Sequence, residues 1–498
     1  MTPARTGAGA GVRGIAVGVA LVLSVATVTR AQTGESPRLI SPESAVALAL
    51  ANNLNLESAR RSPEIAALNL RAADAAWAPS VQATLGHSRA DSPPNNSFDR
   101  ALGVLTDGQS SSLVTLNQRL HWGTSYDVGW ASLSRTNNSL LNRFQTELNT
   151  TATARITQPL LRGFRIDPLR ADRERSAQAH ERATIELDRT VTSLTRDVRY
   201  AYAQWVYTRD LHGVAREALA LARALLDGNR ARVAARAMAA TDVIEAEAEV
   251  ARRDEAVLIA AKNVANAEDL LRLLILSPSA PDYAAPLEPT EASGLDTVAV
   301  DRDPLARALA ARTDLRSRRS VAETSGVNVR QFRNDALPDL SVSAGVTARA
   351  VGGIELIREG GIGTPVVGVL ERGFGPLLSD LGQLRYPGWS IQLSVGYPVG
   401  AAVARASAAR AQIEQRQVAL SVTALEQQVA TEIRAARREV DTNGQRLQST
   451  ATAVALAERR LAAEEERFLV GLSTSFFVFQ AQRDLASARI ARLGAILD

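Results

Sequence analysis

Residues 47–56 read Ala47-Leu48-Ala49-Leu50-Ala51-Asn52-Asn53-Leu54-Asn55-Leu56, and residues 306–315 read Ala306-Arg307-Ala308-Leu309-Ala310-Ala311-Arg312-Thr313-Asp314-Leu315. The second stretch stands 259 positions after the first, and that offset carries Pro79 to Pro338, Val81 to Leu340 and Gly86 to Gly345 without a gap. Farther along, an offset of 235 pairs Val198 with Ile433, Ala246 with Ala481 and Glu247 with Gln482. A unit of roughly two hundred residues is too long for a solenoid repeat and implies a duplicated half-molecule. The chain then divides into a leader at 1–31, a first repeat at 32–277, a proline-rich linker at 278–303 and a second repeat at 304–498.

Proline is absent from Leu169 to Ser277 and from Val399 onward, and Ala, Leu, Arg and Glu dominate both stretches. That composition predicts long helices. In the second stretch Val440, Leu447, Val454, Leu461 and Phe468 recur at sevens, behind a row of Val422, Val429 and Ala436 displaced by four. Sevens make a coiled-coil seam, and a step of four is a stutter that locally unwinds it. The first repeat carries the same seam as Leu187, Leu194, Ala201 and then Trp205, His212, Leu219, Leu226, Val233. Helices from Pro168 to about Val233 and from about Ala404 to Phe468 would each be ~100 Å long at 1.5 Å per residue. The stretches near 43–77, 241–276, 304–336 and 474–496 are about half that length, so two stacked end to end match one long helix. The expected result is a tall antiparallel helical wall.

Other segments alternate with period two. Val81, Ala83 and Leu85 interleave with Gln82, Thr84 and Gly86; Ile391, Leu393 and Val395 interleave with Gln392, Ser394 and Gly396. Residues 151–157 and 340–347 behave alike. An apolar and a small-polar face is the pattern of a barrel with lipid outside and water inside, and equally of a half-buried soluble sheet. A hairpin at about 113–134 occurs only in the first repeat, whereas the second has a Gly-rich insertion from Gly352 to Tyr386 that reads as a mobile loop.

Arg5 and Arg13 precede an apolar run from Gly14 to Val28, with small residues at Thr29 and Ala31, which is the pattern of a cleaved secretory signal. The run is shorter than the roughly 20 residues a spanning anchor needs. There is no cysteine for a disulfide framework. Losing Arg5, Arg13 and Arg30 with the leader takes the formal charge from +4 to +1. The remaining arginines alternate with acids, as solvated helix faces do, so no nucleic-acid partner is expected. His87, His121, His180 and His212 lie in four separate elements without ligand spacing. No catalytic or cofactor motif is present, so neither an enzyme nor a cofactor or metal site is expected.

The informative small sites are the two helix reversals. Gly471 can end the long helix in the left-handed conformation, with Ser473 or Thr474 capping the next. At the equivalent first-repeat reversal, around Arg236, Thr241 or Asp242 can cap.

At this point the chain resembles the TolC-like outer-membrane efflux factor family over nearly all of its mature length. The motifs are Ala78-Pro79, Gln158-Pro159-Leu160-Leu161-Arg162-Gly163, Trp389 through Tyr397-Pro398-Val399-Gly400, Asp242-Val243-Ile244-Glu245-Ala246-Glu247 and Phe477-Val478-Phe479-Gln480-Ala481-Gln482. The resemblance implies an α+β membrane protein, with antiparallel coiled-coil helices forming an α-barrel and strands contributing to a trimeric outer-membrane β-barrel. It implies a homotrimeric, passive exit duct in the outer membrane with a large periplasmic portion. The implied partners are a periplasmic adaptor and an inner-membrane transporter of an efflux or type I secretion system. Docking would fall on Gly471, Leu472, Ser473 and Thr474 and on Arg236, and the gate on Asp242, Phe476 and Phe477. The chain departs from the family pattern in two places: Arg236 replaces a glycine, and Ala401-Ala402 replaces an Asn-Arg pair. The absent N-terminal cysteine excludes the lipid-anchored form. The hairpin at 113–134 would raise the strand number from four to six per chain, or eighteen in a trimer, if it joins the wall. The rival reading is a periplasmic coiled-coil scaffold or adaptor that never enters the membrane.

Overall fold

A computed structural model describes residues 38–277, 283, 285–290, 303–360, 364–397, 399–400 and 402–498. The expected leader, most of the linker, Pro398 and Ala401 lie outside the described residues. The first repeat begins with strand β1 (Arg38–Ile40) and helices α1 (Pro42–Asn52) and α2 (Leu54–Ala75). It continues through strands β2 (Ser80–Ser92), β3 (Leu105–Arg119), β4 (Ser125–Asn137) and β5 (Phe144–Pro159) into helices α3 (Pro168–Ala234) and α4 (Ala240–Ile275). Strand β6 (Leu287–Pro289) follows, then α5 (Pro304–Ala311), α6 (Thr313–Asp335), β7 (Asp339–Arg358), β8 (Val366–Arg372), α7 (Phe374–Gly382), β9 (Pro387–Gly396), α8 (Ala402–Leu469) and α9 (Ser475–Leu497).

The two long helices fall within a few residues of the expected bounds. Asp167 opens α3 by accepting from the Arg170 amide at 2.8 Å, and Pro168 at the first helical position costs no hydrogen bond. The shorter helices near 43–77 and 304–336 are not continuous. Each breaks at one residue in extended conformation, Asn53 (φ −70°, ψ 119°) and Arg312 (φ −62°, ψ 124°), which are equivalent under the 259 offset. Asn53 recaps by accepting from the Leu56 amide at 3.1 Å. Arg312 instead pairs with Asp314 and Glu432. The proline-rich linker is also more structured than expected, because β6 within it pairs in parallel with β1 at the start of the first repeat.

The helices form an open row four wide. Near the strands the order is α2, α3, α6, α8; at the other end it is α4, α3, α9, α8. Ile40, Leu56, Val198, Trp205, Leu271 and Ile275 are among the side chains that bury a belt at mid-height, where β1, α1 and the end of α4 pack on α3. The heptad seam faces inward over part of its length: Leu194, Trp205, Leu219, Leu226, Val429, Val454, Leu461 and Phe468 are buried. Ala436 and Val440, on either side of the stutter in α8, are exposed.

The strands form one antiparallel sheet in the order β2, β3, β4, β5, β7, and both β8 and β9 lie on the remaining edge of β7. The hairpin unique to the first repeat is therefore an integral part of the sheet. The Gly352–Tyr386 segment is not the expected loop: β7 runs on to Arg358, β8 returns along it, and α7 follows. Leu377 and Leu381 of α7 pack on Ala348 and Ala350, with Trp130, Leu148 and Ala152 beneath. Small residues on β5 and β7 leave room for the helix, which the glycine content alone did not reveal.

Candidate functional site

The sheet has two chemically opposite faces. One row runs through Val81, Leu116, Val128, Ala154, Val346 and Trp389, and parallel rows carry Leu85, Ile156 and Ile391. These large apolar side chains are mostly solvent-exposed; Trp389 is 79% accessible and Ile391 71%. The opposite face carries Gln82, Thr84, Thr115, Thr153, Arg155, Thr347, Arg349 and Gln392. An exposed apolar band on a sheet backed by a polar face suits lipid outside and water inside. Among the described residues, the nine-residue α7 is the helix that covers part of the apolar face, at the end away from the helical wall.

At the far end of the helical wall stand the two reversals, and they are the same turn built twice. After α3, the amides of Arg236 and Ala237 donate to Val233 and Arg232 carbonyls, each at 2.9 Å. After α8, the amides of Gly471 and Leu472 donate to Phe468 and Arg467 at 3.3 and 2.8 Å. Both are Schellman closures whose pivot residue is left-handed: φ is 80° at Gly471 and 57° at Arg236. Glycine adopts that conformation without penalty, whereas for arginine it costs about 1 kcal/mol. At the first reversal the expected cap is displaced. Ala239, not Thr241 or Asp242, is the N-cap of α4, and it offers no side-chain acceptor. Thr474 is the N-cap of α9 but makes no capping bond, and Ser473 donates to Glu464 at 2.8 Å.

Gly471, Leu472 and Thr474 are exposed and Ser473 is half-buried, so the second reversal presents a continuous accessible surface. Phe476 and Phe477 project from the first turn of α9, half-exposed and edge-to-face with centroids 5.6 Å apart. Asp242 occupies the equivalent place in α4, half-buried, with its carbonyl 3.5 Å from the Asn229 amide nitrogen.

Long-range pairs that sequence reading missed join the two reversals. Arg232 lies 4.1 Å over the Phe468 ring and donates to the Phe468 carbonyl at 3.1 Å, placing a cation at the C-terminus of α8. Phe479 of α9 inserts between Leu226 and Ala246 of the first hairpin. Above them, the buried Glu249 carboxylate of α4 accepts from Arg252, Arg253 and Arg483 of α9. Burial pushes its carboxyl up, but hydrogen bonds from Arg483 and Arg252 outweigh burial and hold it below the ordinary carboxylate value. The available signal was an acid three residues after Ala246, a spacing that puts both on the helix's packed side. Among the described residues no group of three or more His, Asp or Glu could hold a metal, and no helix is long and apolar enough to cross a membrane.

No family model and no curated protein matches the chain. Among solved structures it is similar to the outer membrane protein VceC of Vibrio cholerae, at 17% identity over 91% of this chain and 92% of that one, with a TM-score of 0.61. It is similar to the Campylobacter jejuni CmeC outer membrane channel at 15% identity over 92% and 82%, with a TM-score of 0.62. The Neisseria gonorrhoeae MtrE outer membrane channel, solved in its open state, matches at 16% identity over 92% and 85%, with a TM-score of 0.61. At these identities the likeness establishes a shared fold.

Proposed function

We propose that this chain, which has the fold of the TolC-like outer-membrane efflux factors, is the non-enzymatic outer-membrane exit duct of a tripartite efflux or type I secretion system. The observation that carries the reading is the two-faced sheet set directly on a four-helix-wide row with both edges open. On one edge of that row α8 exposes Val403, Ile413, Leu420 and Leu456; on the other, α2 exposes Ile65 and Leu68 and α4 exposes Leu258 and Leu273. Edges of that kind are satisfied when copies of the chain join side by side, and a homotrimer closes them into a tube. The wall would then be a β-barrel in outer-membrane lipid continued by a periplasmic α-barrel.

In this reading the duct is passive. Its polar sheet face lines the lumen, and energy comes from an inner-membrane transporter coupled through a periplasmic adaptor. The adaptor's helical hairpin docks at the second reversal on Gly471, Leu472, Ser473 and Thr474, and Arg236 marks the first. Asp242, Phe476 and Phe477 form the constriction. A soluble periplasmic scaffold accounts poorly for Trp389, Ile391, Leu393 and Val395, all more than 60% accessible on one strand. Fractionation of expressing cells tests the proposal. The duct requires a detergent-extracted trimer in the outer membrane, and recovery as a soluble periplasmic monomer would refute it.

A further inference from the structure

We infer that three copies close an eighteen-stranded barrel, six long strands from each, with β9 of one copy pairing antiparallel to β2 of the next. This rests on the trimeric-duct reading and adds how the wall is built. The β3–β4 hairpin is held in the wall along its whole length. It pairs with β2 from Ser80↔Asn117 to Ser92↔Leu105 and with β5 from Ser125↔Thr157 to Thr136↔Thr146. Its turn is anchored to the helical wall as well: Gln118 donates to the Trp77 carbonyl at 2.9 Å, and the His121 ring lies 4.7 Å from that of Trp77. At Gly123 (φ 96°) an added Cβ would stand 2.8 Å from an Arg170 guanidinium nitrogen of α3.

Width gives an independent reason. Four helices at interaxial distances of about 8–10 Å span roughly 32–40 Å of circumference per copy. Strands about 4.8 Å apart and tilted by about 40° take roughly 6.3 Å each, so six span about 38 Å and four only about 25 Å. The additional hairpin lets sheet and helices share one radius at an ordinary tilt; four strands would need a tilt of about 60°.

Order and direction also fit. β2 follows α2, β9 leads into α8, and the sheet runs from β2 to β9 as the helices run from α2 to α8. A single seam between copies therefore extends the length of the molecule. β2 runs away from the helices and β9 toward them, so the pairing is antiparallel, and closure pairs both open edges of the six long strands.

The chain has no cysteine, so pairs can be introduced on a clean background. One set places Val81→Cys or Leu85→Cys with each of Trp389→Cys, Ile391→Cys, Leu393→Cys and Val395→Cys, to report the seam. A second set, Ala83→Cys with Val114→Cys and Val128→Cys with Ala154→Cys, joins opposite residues of β2–β3 and β4–β5. After mild oxidation in membranes, the detergent-extracted trimer should give dimer and trimer adducts from at least one seam pair. Both second-set pairs should become intrachain disulfides that block maleimide labelling. Seam adducts without the second-set disulfides mean twelve strands and overturn the inference, as do second-set disulfides without any seam adduct. Absence of a trimer refutes the duct reading itself.

Discussion

Replacing Glu249 by glutamine tests what holds the two reversals together. The carboxylate is 4% accessible, while the guanidinium groups facing it grade from Arg253 at 20% through Arg483 at 49% to Arg252 at 63%. The variant keeps the size but loses the charge and turns an amide NH₂ toward cations. Hydrogen bonds to charged groups contribute about 1.5–3 kcal/mol each. Arg252 and Arg483 can recover water, which discounts their share, so the net loss centres on Arg253 and should be about 2–3 kcal/mol. Guanidinium denaturation of the extracted protein measures it. For the proposed duct, planar-bilayer recordings should show more frequent opening, because α4 and α9 lose their charged bridge. The pH dependence has a definite sign. The folded carboxyl lies below its ordinary value of 4.5, so the stabilisation is present above about pH 4.5 and is lost as pH falls through the folded value. The wild type's advantage should shrink in acid. An unchanged denaturation midpoint at neutral pH, or an advantage that grows below pH 4.5, would refute the reasoning.

Three further substitutions have defined expectations. Arg236→Gly relieves a left-handed arginine in a turn already closed by hydrogen bonds, and should stabilise by about 1 kcal/mol in the same denaturation assay. Leu461→Asp places an unpaired charge in the buried seam among Val454, Phe468 and Leu485, costing about 3–5 kcal/mol, and should lower trimer recovery on native gels. Ile391→Arg on the apolar face should cost about 2–4 kcal/mol of membrane insertion. The neighbouring Gln392→Arg on the polar face should leave outer-membrane yield unchanged, and equal losses from the two would contradict the assigned faces.

The long helices were legible because proline is missing from both stretches and the sevens mark their packed side. The break at Asn53 was less visible, although an asparagine before Leu54-Asn55-Leu56 is an ordinary cap. Arg312 has no local signal, and only its duplicate position points to it. The α7 excursion was hidden because what seats it is the set of small residues on β5 and β7, remote in sequence. At the tips, Gly471 announced its own turn. Arg236 did not, since arginine rarely adopts that conformation and the closing hydrogen bonds impose it. Glu249–Arg483 and Arg232–Phe468 join residues more than two hundred positions apart, and no local pattern specifies such pairs.

The buried belt at mid-height has a mechanical consequence. Tyr202, whose hydroxyl donates to the Ile40 carbonyl at 3.1 Å, sits near the midpoint of α3. The helix continues 32 residues beyond it, about 48 Å at 1.5 Å per residue. A swing of about 5° around that belt displaces the reversal by about 4 Å on this lever arm. Because the opposite arm is of similar length and ends in the sheet, the same swing would load the strands unless the helix bends. The belt therefore acts as a fulcrum: it sets how far a small rotation moves the tips, and how much of that movement the sheet must resist.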